Sequence, residues 1–141
     1  MEPIREPLKA SGNTTTLSIV VPMFNEAEVL PTFFARLQTT LDALGVAYEV
    51  ICVNDGSTDG TRQFLEEAHA RDPRIRVLNF ARNFGKETAL TAGLDHTRGL
   101  AVIPMDADLQ DPPELIGEML DRWHQGFDVV LAIRRDRSTD S

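Results

Sequence analysis

Short apolar runs rich in β-branched residues alternate with stretches of helical periodicity, and this alternation limits the fold more than any other feature of the sequence. The runs cover residues 17–23, 48–53, 75–78, 100–105 and 127–133. They are almost continuously apolar, which is typical of strands covered on both faces. Parallel strands joined by helical crossovers meet that requirement. The sequence therefore predicts a doubly wound α/β domain with a mainly parallel sheet.

Amphipathic stripes between the runs predict the helices of this domain. The first stripe extends from Phe33 to Leu44 and ends at Gly45, a residue that commonly terminates helices. Asn25 and Glu28 have the spacing of a capping box that would start this helix. The later stripes are centred on residues 64–68, 90–94 and 115–123.

Length and composition indicate one globular domain. The chain has 141 residues, of which 42% are hydrophobic and 26% charged, enough to bury a core. Residues 1–15 lack periodicity, so we expect a flexible leader followed by a single domain over 16–141. The net charge of −8 argues against a nucleic-acid partner, because phosphate backbones require a basic surface. The lone Cys52 fits a reducing, cytoplasmic setting.

Polar and glycine-rich segments follow each of the first four apolar runs. They cover residues 22–26, 54–60, 79–86 and 106–111. In parallel α/β sheets, ligands bind at the carboxyl ends of the strands, so these segments together predict a ligand site. The sequence contains no G-x-G-x-x-G after the first run, no Walker A motif and no Cys/His zinc spacing. The commonest alternatives for a doubly wound fold are thereby removed.

Asp106, Asp108 and Gln110 form the most informative of these segments. Alternate residues of an extended chain face the same way, so these side chains would present their oxygens to one cation. Mg²⁺ or Mn²⁺ takes one or two carboxylates together with substrate phosphates. Capping of the following helix is the simpler alternative, and it stays open chiefly for Asp111.

Two further segments contain candidate ligand residues. For Asp55, at the end of the second run, the spacing leaves contact with a nucleobase and a purely structural role equally open. We interpret Ser57 and Thr58 as caps of the following helix. Arg82 and Lys86 precede the third helix, where they would suit phosphate oxygens or form a solvated surface pair.

The four segments are carried by the motifs VPMFNE, VNDGSTDGT, RNFGKETAL and MDADLQDPPE. In this order and spacing they resemble the family 2 glycosyltransferases. Within that family the chain most resembles the polyprenyl-phosphate group, which includes dolichol-phosphate mannosyltransferases and bactoprenol glucosyltransferases. The resemblance extends from about Leu17 to the C-terminus. It implies a Rossmann-like nucleotide-diphospho-sugar transferase fold and inverting transfer of a sugar to a polyprenyl phosphate.

The resemblance also implies which residues bind the donor. The residues that would line the nucleotide pocket are Pro22, Asn25 and Glu26. Asp55 would contact the base, and Arg82 and Lys86 would lie near the phosphates. From the likeness to bacterial members we expect a UDP-sugar in preference to a GDP-sugar.

The chemistry implied by the resemblance depends on a divalent cation, Mg²⁺ or Mn²⁺. Asp106 and Asp108, assisted by Gln110, would hold this cation on the donor diphosphate. Arg134, in the arginine-rich segment near the C-terminus, would meet a phosphate group. The catalytic residues implied in this way are Asp106, Asp108 and Arg134.

Catalytic domains of this family continue beyond the last residue of the chain. We therefore expect residues 16–141 to be the nucleotide-sugar-binding part of a truncated domain, one that transfers sugar poorly or not at all. The full-length protein is expected at the cytoplasmic side of the cell membrane. Two alternatives stay open: another metal-dependent phosphate enzyme, such as a nucleotidyltransferase or phosphatase, and a non-catalytic nucleotide-binding module that self-associates through the truncated sheet.

Overall fold

Strands and helices alternate along the part of the chain described by the computed structural model, residues 15–110 and 112–125. They are β1 (Leu17–Met23), α1 (Leu30–Leu44), β2 (Tyr48–Asn54), α2 (Thr61–Arg71), β3 (Ile75–Asn79), α3 (Lys86–Asp95), β4 (Ala101–Pro104), a 3₁₀ turn (Pro113–Leu115) and α4 (Ile116–His124). The observed strands differ from the predicted runs by no more than a residue at either end. The predicted fifth strand, Arg134 and residues 1–14 of the predicted leader lie outside the described residues.

The sheet is parallel throughout, with the strand order β3-β2-β1-β4. The chain builds outward from β1 to β3, then crosses back to place β4 on the other side of β1. This reversal confirms the doubly wound α/β fold that the sequence predicts. A sheet of this kind has a topological switch point where the direction of winding changes, here between β1 and β4, and ligands bind in the crevice that opens there.

The sheet separates two layers of buried side chains. On one face Ile19 and Val50 join the apolar sides of α1, α2 and α4 in the larger core. The other face is covered by α3 over a smaller cluster that includes Ile51 and Val53. A Cβ atom at Gly93 of α3 would lie 2.5 Å from Cγ1 of Val20, so glycine lets this helix approach the sheet closely. No helix in the described part of the chain is long and apolar enough to cross a membrane.

The first helix starts later than the predicted capping box would place it. It begins at Leu30, after Val29, and no side chain caps it. The capping-box prediction for Asn25 and Glu28 is therefore wrong. Asn25 has a φ of 54° and lies in the loop after β1, where its side chain bonds to the turn after β2. The Asn25 side chain, which local spacing assigned to the helix cap, instead makes a long-range hydrogen bond to Thr58.

An unexpected hydrogen-bond network joins the amino ends of the strands. Glu49 of β2 is only 4% exposed, although it lies within an apolar run. Its carboxylate accepts hydrogen bonds from Ser18 Oγ (2.6 Å), the Arg98 backbone N–H (2.7 Å) and Arg76 Nη1 (2.6 Å). Gly99 N–H in turn donates to Ser18 Oγ at 2.8 Å. The network thus fastens β1, β2, β3 and the segment before β4 at the end of the sheet opposite the candidate site.

Candidate functional site

A cleft of about 140 Å³ opens at the carboxyl edge of the sheet. Its lining contains six residues that the sequence proposed for the site: Pro22, Glu26, Asp55, Lys86, Asp106 and Asp108. Met23 and Phe24 complete the lining. The parallel strands thereby bring together side chains that lie up to 86 positions apart in the sequence. Asn25, Arg82 and Gln110 are outside this lining, and Arg134 is outside the described residues.

Asn25 bonds the loop after β1 to the loop after β2. Its backbone N–H donates to Ser57 Oγ at 2.8 Å, and its Oδ1 accepts the N–H of Thr58 at 2.8 Å. The expectation that Ser57 and Thr58 cap α2 is wrong, because that helix follows Gly60 and has no side-chain cap. These two residues instead join the loop after β2 to the loop after β1.

Glu26 contributes to a strongly acidic cleft wall. Its backbone N–H donates to Thr61 Oγ1 at 2.9 Å, which fixes the residue at the mouth of the cleft. Burial raises the pKa of its carboxyl group, and the nearby charges of Asp108 and Asp106 raise it further, while Lys86 partly offsets them. Carboxylates crowded in this way favour a cation between them.

Lys86 supplies one positive charge to this wall. It is the first residue of α3, and its Nζ lies 2.8 Å from Oδ1 of Asp106. The Asp106 side chain is only 12% exposed, whereas that of Lys86 is 53% exposed. The aspartate is therefore held in place by its surroundings, and the lysine head group has room to move toward a bound anion.

The segment that carries Asp108 is a turn, whereas the sequence analysis predicts an extended chain. Leu109 has a φ of 67°, and Oδ1 of Asp108 accepts the N–H of Gln110 at 3.1 Å. The positive φ breaks the alternation of side chains beyond Asp108. Asp106 and Asp108 still line the same cleft, but Gln110 is exposed outside it.

The donor atoms of the cleft suit a cation that arrives with a phosphate ligand. In residues 15–110 and 112–125, no group of three or more His, Cys, Asp or Glu side chains is placed to hold a metal ion. Asp106 and Asp108 nonetheless reach one cleft, and Mg²⁺ commonly binds through one or two carboxylates while substrate phosphates and water complete its shell. The residues fit such a shared site, and they do not form a cage of protein ligands alone.

The Asp55 carboxylate accepts three hydrogen bonds at the wall of the cleft. The residue is 3% exposed. Its Oδ1 accepts the backbone N–H of Phe84 at 2.7 Å. Its Oδ2 accepts the N–H of Gly85 at 3.0 Å and Nδ2 of Asn83 at 3.2 Å. The turn after β3 is thereby attached to the end of β2.

Two exposed phenylalanines beside the cleft were missed by sequence reasoning. Phe24 is 43% exposed and lines the cleft, while Phe84 is 47% exposed and stacks beneath the guanidinium of Arg82, 4.3 Å from its ring centre. Arg82 thus lies over an aromatic ring instead of in the cleft. A bulky aromatic residue in the motif directly after a buried strand is the signal that would have revealed Phe24.

The doubly wound sheet, with its cleft at the switch point, defines a Rossmann-like α/β protein. Comparison with known families goes further: the model for glycosyl transferase family 2 matches residues 18–141. The chain belongs to this family. The resemblance stated from the four motifs is therefore confirmed.

Curated relatives cover most of this chain. An uncharacterized glycosyltransferase of Synechocystis sp. is 52% identical over 128 residues, which is 91% of this chain and 40% of the relative. The bactoprenol glucosyl transferase of Shigella phage SfX is 48% identical over 88% of this chain and 41% of its own length. An undecaprenyl-phosphate 4-deoxy-4-formamido-L-arabinose transferase of Edwardsiella ictaluri is 40% identical over 86% and 38%. The chain spans about 40% of the length of these relatives.

Solved structures agree with the fold. A mannosyltransferase from Pyrobaculum calidifontis in complex with GDP-Man and Mn²⁺ superposes with a TM-score of 0.58 at 26% identity, over 67% of this chain and 28% of that one. TarS (1–349) of S. aureus gives a TM-score of 0.53 at 24% identity, over 74% and 33%. The Rossmann-like glycosyltransferase fold is thereby confirmed.

Proposed function

We propose that this chain is the donor-binding part of an inverting glycosyltransferase that moves a sugar from a nucleotide diphosphate to a polyprenyl phosphate. The observation that carries the proposal is the convergence of Asp106, Asp108 and Lys86 in one cleft at the switch point. Relatives named for bactoprenol and undecaprenyl phosphate support the acceptor. Membership of the family favours sugar transfer over the nucleotidyltransferase and phosphatase alternatives.

The diphosphate would lie against the acidic wall together with Mg²⁺ or Mn²⁺. Asp106 and Asp108 would hold the cation without Gln110, which lies outside the cleft, and the cation would act as a Lewis acid that stabilises charge on the leaving diphosphate. The ammonium of Lys86 would neutralise a phosphate oxygen as well. Mn²⁺ in the complex of the Pyrobaculum mannosyltransferase supports this assignment.

The acceptor needs little activation in this scheme. A phosphate monoester is already anionic near neutral pH, so its oxygen attacks the anomeric carbon without a strong base. Attack opposite to the departing diphosphate inverts that carbon. Arg134 is proposed to meet a phosphate group during this step, although it lies outside the described residues.

The nucleoside would occupy the part of the cleft walled by Pro22 and Phe24. The exposed ring of Phe24 offers a face on which a base stacks. We expect UDP in preference to GDP from the likeness to bacterial members, and GDP-Man in the structural relative makes GDP the alternative to separate. Because polyprenyl phosphates are membrane lipids, we place the whole protein at the cytoplasmic side of the cell membrane.

Calorimetric titration of the chain with UDP and GDP, with and without Mn²⁺, tests this function. We expect Mn²⁺-dependent binding of one nucleotide, and loss of that dependence in Asp108→Ala with the fold unchanged. Asp121→Ala is the matched control, since Asp121 is exposed on α4 and outside the cleft lining. Unchanged metal dependence in Asp108→Ala would refute the metal assignment. Absence of binding in both this chain and the full-length protein would refute the donor site.

A further inference from the structure

We propose that Asp55 is a positioning residue for the donor phosphates: its carboxylate holds residues 83–85 in the shape that places Lys86 opposite Asp106. The family resemblance instead gave Asp55 a direct contact with the base. The effect on ligand binding rests on the proposed function, whereas the effect on the loop does not.

The bonding of Asp55 favours the positioning role. Its two oxygens receive donors from three consecutive residues, the side chain of Asn83 and the backbone N–H groups of Phe84 and Gly85. Such charge-assisted bonds are stronger than those between neutral groups. With Oδ2 taking two donors and Oδ1 one, a base N–H would have to share an oxygen that already serves the loop.

Backbone contact between the two turns reinforces this bonding. Gly56 has a φ of 74°, and a Cβ atom there would lie 2.2 Å from the carbonyl carbon of Arg82. Only glycine therefore lets the turn after β2 approach the turn after β3 so closely. The backbone N–H of Asp55 donates to Met23 O at 2.9 Å, so the backbone that carries the carboxylate is anchored to the end of β1.

The position of the loop is transmitted to Lys86 within one residue. Gly85 has a φ of 106° and accepts the first hydrogen bond of α3, from Ala89 N–H at 3.0 Å. Gly93 fixes the same helix closely against the sheet, so α3 has little freedom to shift. Because the Lys86 side chain is 53% exposed, the direction in which it leaves the helix decides whether Nζ reaches Asp106.

The first test is made without ligand, on Asp55→Asn in the whole chain. An asparagine of the same shape loses the negative charge that attracts three donors. We expect amide hydrogen exchange at Phe84 and Gly85 to become about ten-fold faster, the effect of losing one hydrogen bond to a charged group. Asp72→Asn is the matched control, because Asp72 also accepts a backbone N–H, from Arg74 at 3.1 Å, but far from the cleft. Unchanged exchange in Asp55→Asn would overturn the proposal.

The second test separates the loop from the base by means of a probe that has no base. We expect Asp55→Asn to weaken binding of Mg²⁺-pyrophosphate and of the preferred nucleotide by the same factor, about ten-fold. It should add nothing further in a Lys86→Met background, because both changes act through the same ammonium. A loss confined to the nucleotide, or a full additional loss in the Lys86→Met background, would overturn the positioning role and support the direct base contact.

Two safeguards keep the outcomes distinct. If Asp55→Asn does not fold, Asn83→Ala removes one donor to the same carboxylate and should give the same pattern at a smaller amplitude. If neither the wild-type chain nor the full-length protein binds nucleotide or pyrophosphate, the proposed function fails. The exchange rates at Phe84 and Gly85 then decide the positioning role alone.

Discussion

Replacing Glu49 by glutamine tests whether the network at the amino ends of the strands stabilises the sheet. The carboxylate is buried and joins three donors that come from different segments of the chain. Glutamine keeps the shape and one acceptor oxygen, so Ser18 Oγ and the Arg98 N–H retain a partner. Its amide NH₂, however, would face Arg76 Nη1, which is itself a donor. The substitution therefore removes the ion pair and leaves little empty space.

The cost follows from the geometry of this ion pair. Breaking a buried ion pair by removing one partner costs about 3–5 kcal/mol. The Arg76 side chain is 24% exposed and recovers some hydration, so we expect about 2–3 kcal/mol. At roughly 2.1 cal/mol/K of unfolding entropy per residue, a chain of 141 residues should lose about 7–10 °C in Tm.

The pH dependence of this effect has a definite sign. Burial alone would raise the pKa of Glu49, but the hydrogen bonds from Ser18, Arg98 and Arg76 outweigh burial and lower the pKa. A lowered pKa stabilises the fold fully above the unfolded value, about 4.3, and this contribution disappears as the pH falls through the folded value. The Tm difference between wild type and Glu49→Gln should thus be constant from about pH 6 to 8 and shrink below about pH 4.

Thermal unfolding followed by circular dichroism across this pH range measures both quantities. Glu67→Gln is the control, because Glu67 is exposed on α2, and its Tm should match that of the wild type near neutral pH. A loss of less than about 2 °C at pH 7, or a difference that persists undiminished at low pH, would refute the reasoning.

The remaining predictions concern one backbone contact and one hydroxyl group. Gly56→Ala should lower the free energy of unfolding, measured with urea, by about 3 kcal/mol, because a Cβ atom would collide with the turn after β3. Gly45→Ala should lower it by only about 1 kcal/mol, because Gly45 has a φ of 69° but a Cβ atom there would meet empty space. Equal costs would contradict the close contact at Gly56. Tyr48, the single tyrosine, should ionise with a pKa of about 12 because it is buried and lies near the charge of Asp42, with Arg74 partly opposing the shift. Ultraviolet titration measures this pKa, and the urea-unfolded chain should give about 10.

The sheet was predictable because its strands are covered on both faces. Such strands are written as unbroken apolar runs, and β1 and β2 stand out for that reason. The same pattern does not reveal the hydrogen-bond network of Glu49, because one charged residue within an apolar run leaves the pattern of a buried strand unchanged. The partners of Glu49, Ser18 and Arg76, lie 31 and 27 positions away, so the network cannot be predicted from local spacing.

The candidate site was predictable in position but not in its internal contacts. Parallel strands carry Glu26, Asp55 and Asp106 to one edge regardless of loop detail, so the convergence follows from the fold class alone. The contacts of Asn25 with the turn after β2, and of Asp55 with residues 84 and 85, depend on how two loops meet. The local sequence pattern does not show how these loops contact each other. For that reason the capping roles predicted for Asn25, Ser57 and Thr58 were wrong.

The order of the strands along the chain and in the sheet has a consequence for the formation of the cleft. Residues up to 95 contain β1, β2, β3 and the lysine that points into the cleft, yet the acidic partner of that lysine follows β4. β4 docks on the edge of β1 that is left open by the other strands, and Met105 N–H then donates to Val20 O at 2.9 Å. During synthesis, β1, β2, β3 and Lys86 are therefore made before the chain contains both charges of the cleft. Any ligand that requires both charges will recognise only molecules in which β4 has docked on β1.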